Sequence, residues 1–238
     1  MDNLQKLREQ NIKQTKEKVK QSVTDDLLII QAINHIDDLN KVINILAKDL
    51  REWYGYNNPE VSRKIKEHSE LVEAILEKTD KKSKDSMGAD LSKENFKPLI
   101  DLCTEIKSLF KLKGIQETYI ESMMNQVCPN ISIITGPLLG AQLLQHAGSL
   151  RKIAIMPSST VQLLGAEEAL FRHIKTGARC PKYGLLHNHP LVTKAKREDG
   201  GKVARIIAGK ISIAAKVDYM KGNFVGDKLL KEIEEKLK

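Results

Sequence analysis

Aromatic residues are scarce in this chain: Phe, Tyr and Trp make up 4% of its 238 residues, with a single Trp, while charged residues make up 29%. Little aromatic mass and much charge argue against a thick central core and for long helices with one solvated face. Disordered chains share that composition, but here the apolar residues recur at helical spacing, a regularity that disorder does not require. Cysteine is sparse too. Cys103, Cys128 and Cys180 lie far apart without paired spacing, which points away from a disulfide scaffold or a zinc site. No apolar run approaches the roughly 20 residues of a membrane helix. The stretch Met1–Lys20 is too polar for a signal peptide, so no membrane contact and a cytoplasmic location are expected.

Signatures of catalysis are missing as well. Gly136-Pro137 and Gly200-Gly201-Lys202 lack the spacing and the following Ser or Thr of a nucleotide-binding loop. His187 and His189 stand two apart like half a metal site, with no Cys or carboxylate cluster to complete it. Ser158, Ser159 and His173 show no triad pattern. The expectation is a protein that is not an enzyme and carries no cofactor or metal.

What the chain has in excess is positive charge in one place. Lys and Arg number 39 against 31 Asp and Glu, a formal charge of +8. Between Arg172 and Lys210 stand ten basic residues and two acidic ones, Glu198 and Asp199, an imbalance equal to that of the whole chain. Such a local field suits a polyanion; plain solubility charge is the competing reading.

The second abundance is heptad order. After a polar N-terminal extension, residues 1–23, Thr24 resembles a helix cap followed by Asp25 and Asp26 in the first turn. Ile29, Ala32, Ile36, Leu39, Ile43, Leu46, Leu50 and Trp53 then alternate steps of three and four, and Leu28, Ile33 and Ile45 widen the stripe. The spacing predicts a helix to about Tyr54, ended by Gly55, Asn57, Asn58 and Pro59. A shorter helix is expected over 60–79, a turn over 79–90, and a cap at Asp90 or Ser92. A long helix over 92–127 follows, with Leu99, Leu102, Ile106 and Leu109, and then Ile120, Met123 and Val127, as its stripe. Gly114 is read there as a bend or a close crossing. Two long helices around a shorter one make an antiparallel hairpin, residues 24–127. Its wide faces suggest self-association through Ile29, Ile36, Leu39, Ile43, Leu46, Leu50, Ile106 and Leu109; packing back on the C-terminal part is the alternative.

Past Pro129 the texture changes. Gly136-Pro137, Gly140, Gly148, Pro157, Gly165, Gly177, Pro181, Gly184 and Pro190 break residues 131–215 into short helices, with Thr135, Ser149 and Ser158 as candidate caps. Period-2 alternation is nearly absent. The fold class is therefore all-α: a long coiled-coil hairpin, a compact helical domain over 128–222, and a charged helix or tail over 223–238.

Several strings in this domain carry a family resemblance. Gly165-Ala166-Glu167-Glu168-Ala169-Leu170-Phe171-Arg172-His173 resembles the signature block of the Nop family, core proteins of the box C/D small ribonucleoprotein. The flanking strings 141–150 and 156–164, Pro181-Lys182-Tyr183-Gly184, His189-Pro190 and Gly201-Lys202-Val203-Ala204-Arg205 fit the same domain. Asp37-Asp38-Leu39-Asn40-Lys41, Arg51-Glu52-Trp53-Tyr54 and the Cys128-Pro129-Asn130 junction resemble the family's coiled coil. The match is to the archaeal member, with eukaryotic nucleolar counterparts and a spliceosomal relative. It spans roughly residues 25–220.

The resemblance implies a non-catalytic scaffold that binds kink-turn guide RNA jointly with a small ribosomal-protein-like partner and supports 2′-O-methylation of rRNA by a separate enzyme. In the family, a domain ahead of the first long helix docks a fibrillarin-like methyltransferase. Only about two dozen polar residues precede that helix here, so this partner is expected only if the docking domain is supplied otherwise. Carried onto this chain, the signature region places Gln162, Gly165, Glu167, Glu168 and His173 at the protein–RNA junction, while Leu163, Leu164, Ala169, Leu170 and Phe171 read as core. Arg172, Lys175, Arg179, Lys182, Lys202, Arg205 and Lys210 are candidates to neutralise phosphates. Lys202 and Arg205 share a face if 202–216 is helical. Tyr183 is a candidate to stack on a base or to pack in the core, and His187 or His189 to hydrogen-bond RNA. The loop 193–201 reads as mobile until covered, or as an ordinary solvent loop. Two rivals remain: a coiled-coil adaptor without specific RNA recognition, and the splicing-type relative.

Overall fold

A computed structural model describes residues 2–77 and 86–237, and every described element is a helix, without strands. The chain divides into two compact units, one of residues 1–33 with 119–238 and one of residues 34–118. Helix α1 (Asp2–Gln21) is exposed along its described length. Helix α2 (Asp25–Asn57) and helix α5 (Lys93–Val127) each contribute residues to both units. The expected breaks at 23/24 and 127/128 coincide with the ends of these helices, whereas the compact units divide inside them. No described helix is long and apolar enough to cross a membrane.

In the 34–118 unit, α3 (Pro59–Lys64) and α4 (His68–Glu77) brace the hairpin. Leu50 and Tyr54 of α2, Leu71, Val72 and Ile75 of α4, and Leu99, Cys103 and Ile106 of α5 form one buried cluster. The single helix expected over 60–79 is broken at Ile65–Glu67. Arg51 makes the break possible, because its guanidinium donates to the carbonyls of Ser62, Ile65 and Lys66, the last at 2.9 Å. Neither glycine nor proline marks that break, so the sequence pattern passes over it. At the other end Ser92 caps α5, its hydroxyl accepting from Asn95 N–H at 3.3 Å. Of the turn expected over 79–90, residues 79–85 lie outside the described residues.

The apolar seam follows the true helical period more closely than the heptad. Ile43, Ala47, Leu50 and Tyr54 are buried, while Trp53 is 37% exposed. A straight α-helix drifts about 20° per heptad, enough to exchange 46 and 53 for 47 and 54. On α5, likewise, Met124 is buried and Met123 half-buried. The residues named for self-association are largely the chain's own core. Ile29, Ile36, Leu39, Ile43, Leu50 and Ile106 are buried within the single chain, and Leu46 and Leu109 half-buried. Gly114 marks no close crossing: α5 runs through it, and a Cβ there would meet nothing within 4 Å.

In the other unit, α6 (Pro129–Thr135), α7 (Pro137–Ala147), α8 (Leu150–Ile155), α9 (Ser158–Leu163), α10 (Glu167–Thr176), a 3₁₀ turn (Leu185–Asn188), α11 (Pro190–Lys194), α12 (Gly200–Tyr219) and α13 (Gly226–Leu237) follow in order. Helix α12 is the spine. Its Val203, Ala204, Ile207, Ala208, Ile211, Ala214 and Ala215 are buried, and α6, α8, α9 and α13 pack around it. Two buried carboxylates hold helix starts, Asp218 of the spine that of α6 and Asp26 of α2 that of α8. Asp218 accepts from Asn130 N–H, Asn130 Nδ2 and Ile131 N–H at 3.2, 2.6 and 3.0 Å. Asp26 accepts from Leu150 N–H at 2.8 Å. Of the three caps expected over residues 131–215, Ser149 serves as one, accepting from Lys152 N–H at 3.1 Å. Thr135 is instead the last residue of α6, its hydroxyl donating back to Ile131 O, and Ser158 opens α9 after Pro157.

Candidate nucleic-acid interface

The signature block starts at a turn that only glycine fits. Gly165 has φ +82°, and a Cβ on it would stand 2.6 Å from Leu185 Cγ. The adjoining stretches of backbone are equally close. Leu185 N–H donates to Leu164 O at 2.7 Å and Gly184 N–H to Gln162 O at 3.0 Å, and a Cβ on Gly184 would fall 1.9 Å from Leu164 O. These contacts bring segments 162–167 and 181–187 side by side.

They line a cleft of about 620 Å³ that gathers Gly165, Glu167, Glu168, Arg172, Tyr183 and His187, together with His146 from the last turn of α7. Glu167 Oε1 accepts from Gly165 N–H at 2.8 Å and stands 3.6 Å from His146 Nδ1. Burial pushes the Glu167 pKa up, but hydrogen bonds from Gly165 and its own N–H, with the nearby His146, outweigh it and hold the carboxyl below the usual range. Tyr183 and His187 stack, ring centroids 5.4 Å apart and planes within 3°. Tyr183 is half-buried and His187 exposed, so the stack has one open side.

Gln162 works beneath this surface. It is buried, and its Nε2 donates to Lys182 O at 2.6 Å and reaches Gly201 O at 3.5 Å. The start of α12 thereby sits against Lys182 and Tyr183: a Cβ on Gly200 would lie 3.2 Å from Tyr183 Cε1. Lys202 and Arg205, both exposed on the first turns of α12, follow directly. Gly200 and Gly201 are thus helical rather than loop, and the segment between α11 and α12 shrinks to residues 195–199.

Helix α10 departs most from expectation. None of its residues is buried. Phe171 is 59% and Ile174 68% exposed, beside the exposed Arg172 and Lys175, with Arg179 exposed just beyond the helix. Of the residues read as core, Leu164 alone is buried; Leu163 and Leu170 are half-buried and Ala169 is exposed.

With this geometry in view, the comparisons with known proteins are specific. The family model for Nop, described as a snoRNA binding domain, fibrillarin, matches residues 35–238. The chain belongs to the Nop family. An uncharacterized NOP5 family protein of Methanocaldococcus jannaschii is 35% identical over 234 residues, covering 89% of this chain and 56% of its own length. Nucleolar protein 56 of Homo sapiens is 36% identical over 241 residues, covering 89% of this chain and 41% of that protein. The chain thus spans about half or less of the relatives it matches. A crystal structure of a fibrillarin/Nop5p complex is similar in fold, with a TM-score of 0.61 at 22% identity, covering 98% of this chain and 77% of that one.

Within the Nop region, two residues expected at RNA are engaged elsewhere. His189 is 4% exposed; its Nδ1 accepts from Leu191 N–H at 3.2 Å, capping α11, and its Nε2 donates to Ile134 O at 2.9 Å. Burial depresses its pKa, offset in part by the bond to Ile134. It is a neutral structural histidine. Lys210 is ion-paired with Glu232 of α13 and mostly covered. His173 is half-buried, with Nδ1 at Ala178 O. Lys182 stays exposed with Nζ donating to Arg197 O at 3.1 Å. The sequence pattern did not reveal His146 or the exposure of Phe171 and Ile174. His146 lies 21 positions before Glu167 with no motif joining them, and an apolar stripe on a short helix reads as core whenever its outer face is unknown.

Proposed function

We propose that this chain is a non-catalytic scaffold of a box C/D guide ribonucleoprotein, binding kink-turn RNA together with its small ribosomal-protein-like partner in support of rRNA 2′-O-methylation by a separate enzyme. The observation that carries the reading is α10 with its cleft: an unburied helix that offers apolar Phe171 and Ile174 and basic Arg172 and Lys175 side by side. A surface for RNA alone needs no exposed Phe and Ile, and a surface for protein alone needs no run of arginine and lysine. A composite ligand satisfies both, with apolar contacts to the protein and charge-assisted contacts to phosphate. The open Tyr183–His187 stack supplies a face for an unpaired base. Self-association would draw on exposed apolar residues of the two long helices, Val42, Ile45, Leu112 and Ile115 among them, since most of the residues of the seam are buried within the chain.

Binding of the full chain to a kink-turn RNA, with and without the small partner, tests the reading. Tight, salt-sensitive binding to the preformed complex, weakened by Arg205→Ala, is expected. Equal weak binding to any RNA with or without the partner would leave the coiled-coil adaptor as the better reading.

A further inference from the structure

Helix α10 has little burial to fix its orientation. None of its residues is buried, its N-cap Ala166 supplies no side-chain bond, and two left-handed glycines, Gly165 and Gly177, bracket it. The hydrogen bonds of Thr176 to Arg172 O and of His173 with Ala178 O stay within the helix and the turn behind it. Glu167 reaches further. Its Oε1, which accepts from Gly165 N–H at 2.8 Å, stands 3.6 Å from His146 Nδ1 on α7. That distance makes a charge pair rather than a hydrogen bond, and the pair exists while the imidazole carries its second proton.

Glu167, Phe171 and Ile174 follow one another in steps of four and three, so they share one stripe of α10. Whatever fixes Glu167 therefore fixes the direction in which Phe171 and Ile174 point. Helix α7, in contrast, is firmly seated, with Leu139, Leu143, Leu144 and Ala147 among its buried residues. His146 stands on its last turn and offers α10 a fixed anchor. Facing the pair are Glu168 and Arg172 of α10, and Tyr183 and His187 across the cleft. Lys152 of α8 approaches from the third side, its Nζ 3.3 Å from where a Cβ on Gly148 would stand.

We propose that His146 is a positioning residue of the composite interface: protonated, it holds Glu167 and with it the first turn of α10, so that Phe171 and Ile174 meet the RNA-bound partner, and loss of the proton loosens that hold. The role rests on the composite-interface reading above. Assembly is then tightest on the acidic side of the imidazole range and weakens as pH rises through it. Despite its partial burial Glu167 keeps its charge across that range, held below the usual carboxylate range by the amides of Gly165 and Glu167 and by His146. A half-exposed ion pair is weak, which limits the effect to a few-fold.

The test uses the full chain and the kink-turn RNA already bound to its small partner, with affinity read from about pH 6 to about pH 8 at fixed salt. The unaltered chain is expected to bind about two- to fivefold more weakly at the upper end. His146→Gln should bind at every pH as the unaltered chain does at the upper end. Glu167→Gln, which keeps an oxygen for the Gly165 N–H, should do the same. His146→Lys is charged throughout and should bind tightly throughout, but not when combined with Glu167→Gln. A lysine that helps equally in both backgrounds acts on the RNA directly and overturns the proposal. So does a pH step that survives unchanged in His146→Gln, which would belong to His187 or to the ligand. Should His146→Gln fail to fold in a melt, Glu167→Gln and His146→Lys, alone and combined, carry the test. Preference for the preformed complex with a flat pH profile removes the positioning role and leaves the interface reading standing. Equal binding of RNA with and without the partner ends that reading, and the role of His146 falls with it.

Discussion

Helices α10 and α12 belong to the same compact unit and draw on similar residues, apolar side chains spaced by three and four with lysine and arginine between them. Their surroundings differ completely. Ten residues of α12 are buried under neighbouring helices, whereas α10 buries none. Apolar periodicity states which face of a helix avoids water; it does not state whether the covering surface is in the same chain. For α12 the cover is α6, α8, α9 and α13. For α10 the proposed cover is the ribonucleoprotein.

The comparison breaks most readily in the spine. Ile207→Ala removes a fully buried side chain from α12 and is expected to cost about 2–5 kcal/mol in a denaturant melt. Phe171→Ser with Ile174→Ser deletes apolar mass of the same kind from α10. The melt should then move by no more than about 0.5 kcal/mol, while assembly on the partner-bound RNA fails. A large loss of stability from the α10 pair would show that its face is covered within the chain after all.

Two smaller effects sharpen the contrast. Gly177 ends α10 at φ +68°, its N–H donating to His173 O at 2.9 Å. Gly177→Ala should cost about 1 kcal/mol of local strain. Because α10 stands apart from the core, that loss should appear as faster amide exchange within α10 and hardly in the global melt. In the packed region, His189 gives a pH effect. Its folded pKa lies below the ordinary 6.5, so its stabilisation is fully present above that value and is lost as pH falls through the lower folded value. Melts between about pH 7 and 5 should show the loss, and His189→Gln should flatten it.

Much of this was legible in the sequence. The two long helices, the turn at Gly165 and the helical stretch that puts Lys202 and Arg205 on one face follow from periodicity and from glycine and proline placement. Other features depend on partners distant in the chain. Arg51 breaks the 60–79 helix from outside it, Glu232 takes Lys210, and Ile134 and Leu191 take both nitrogens of His189. Type and spacing cannot distinguish a histidine or lysine facing RNA from one already bonded within the fold. Nor can they distinguish Phe171 in a core from Phe171 on a docking face.

Amide exchange measured over α10 and α12, in the free chain and in the complex with partner-bound kink-turn RNA, tests most directly whether the cover of α10 comes from outside the chain. Fast exchange in free α10, strong protection of it in the complex, and slow exchange in the buried part of α12 in both states are expected. Equal protection of α10 with and without the complex would contradict that origin and would place the cover of the helix within the chain itself.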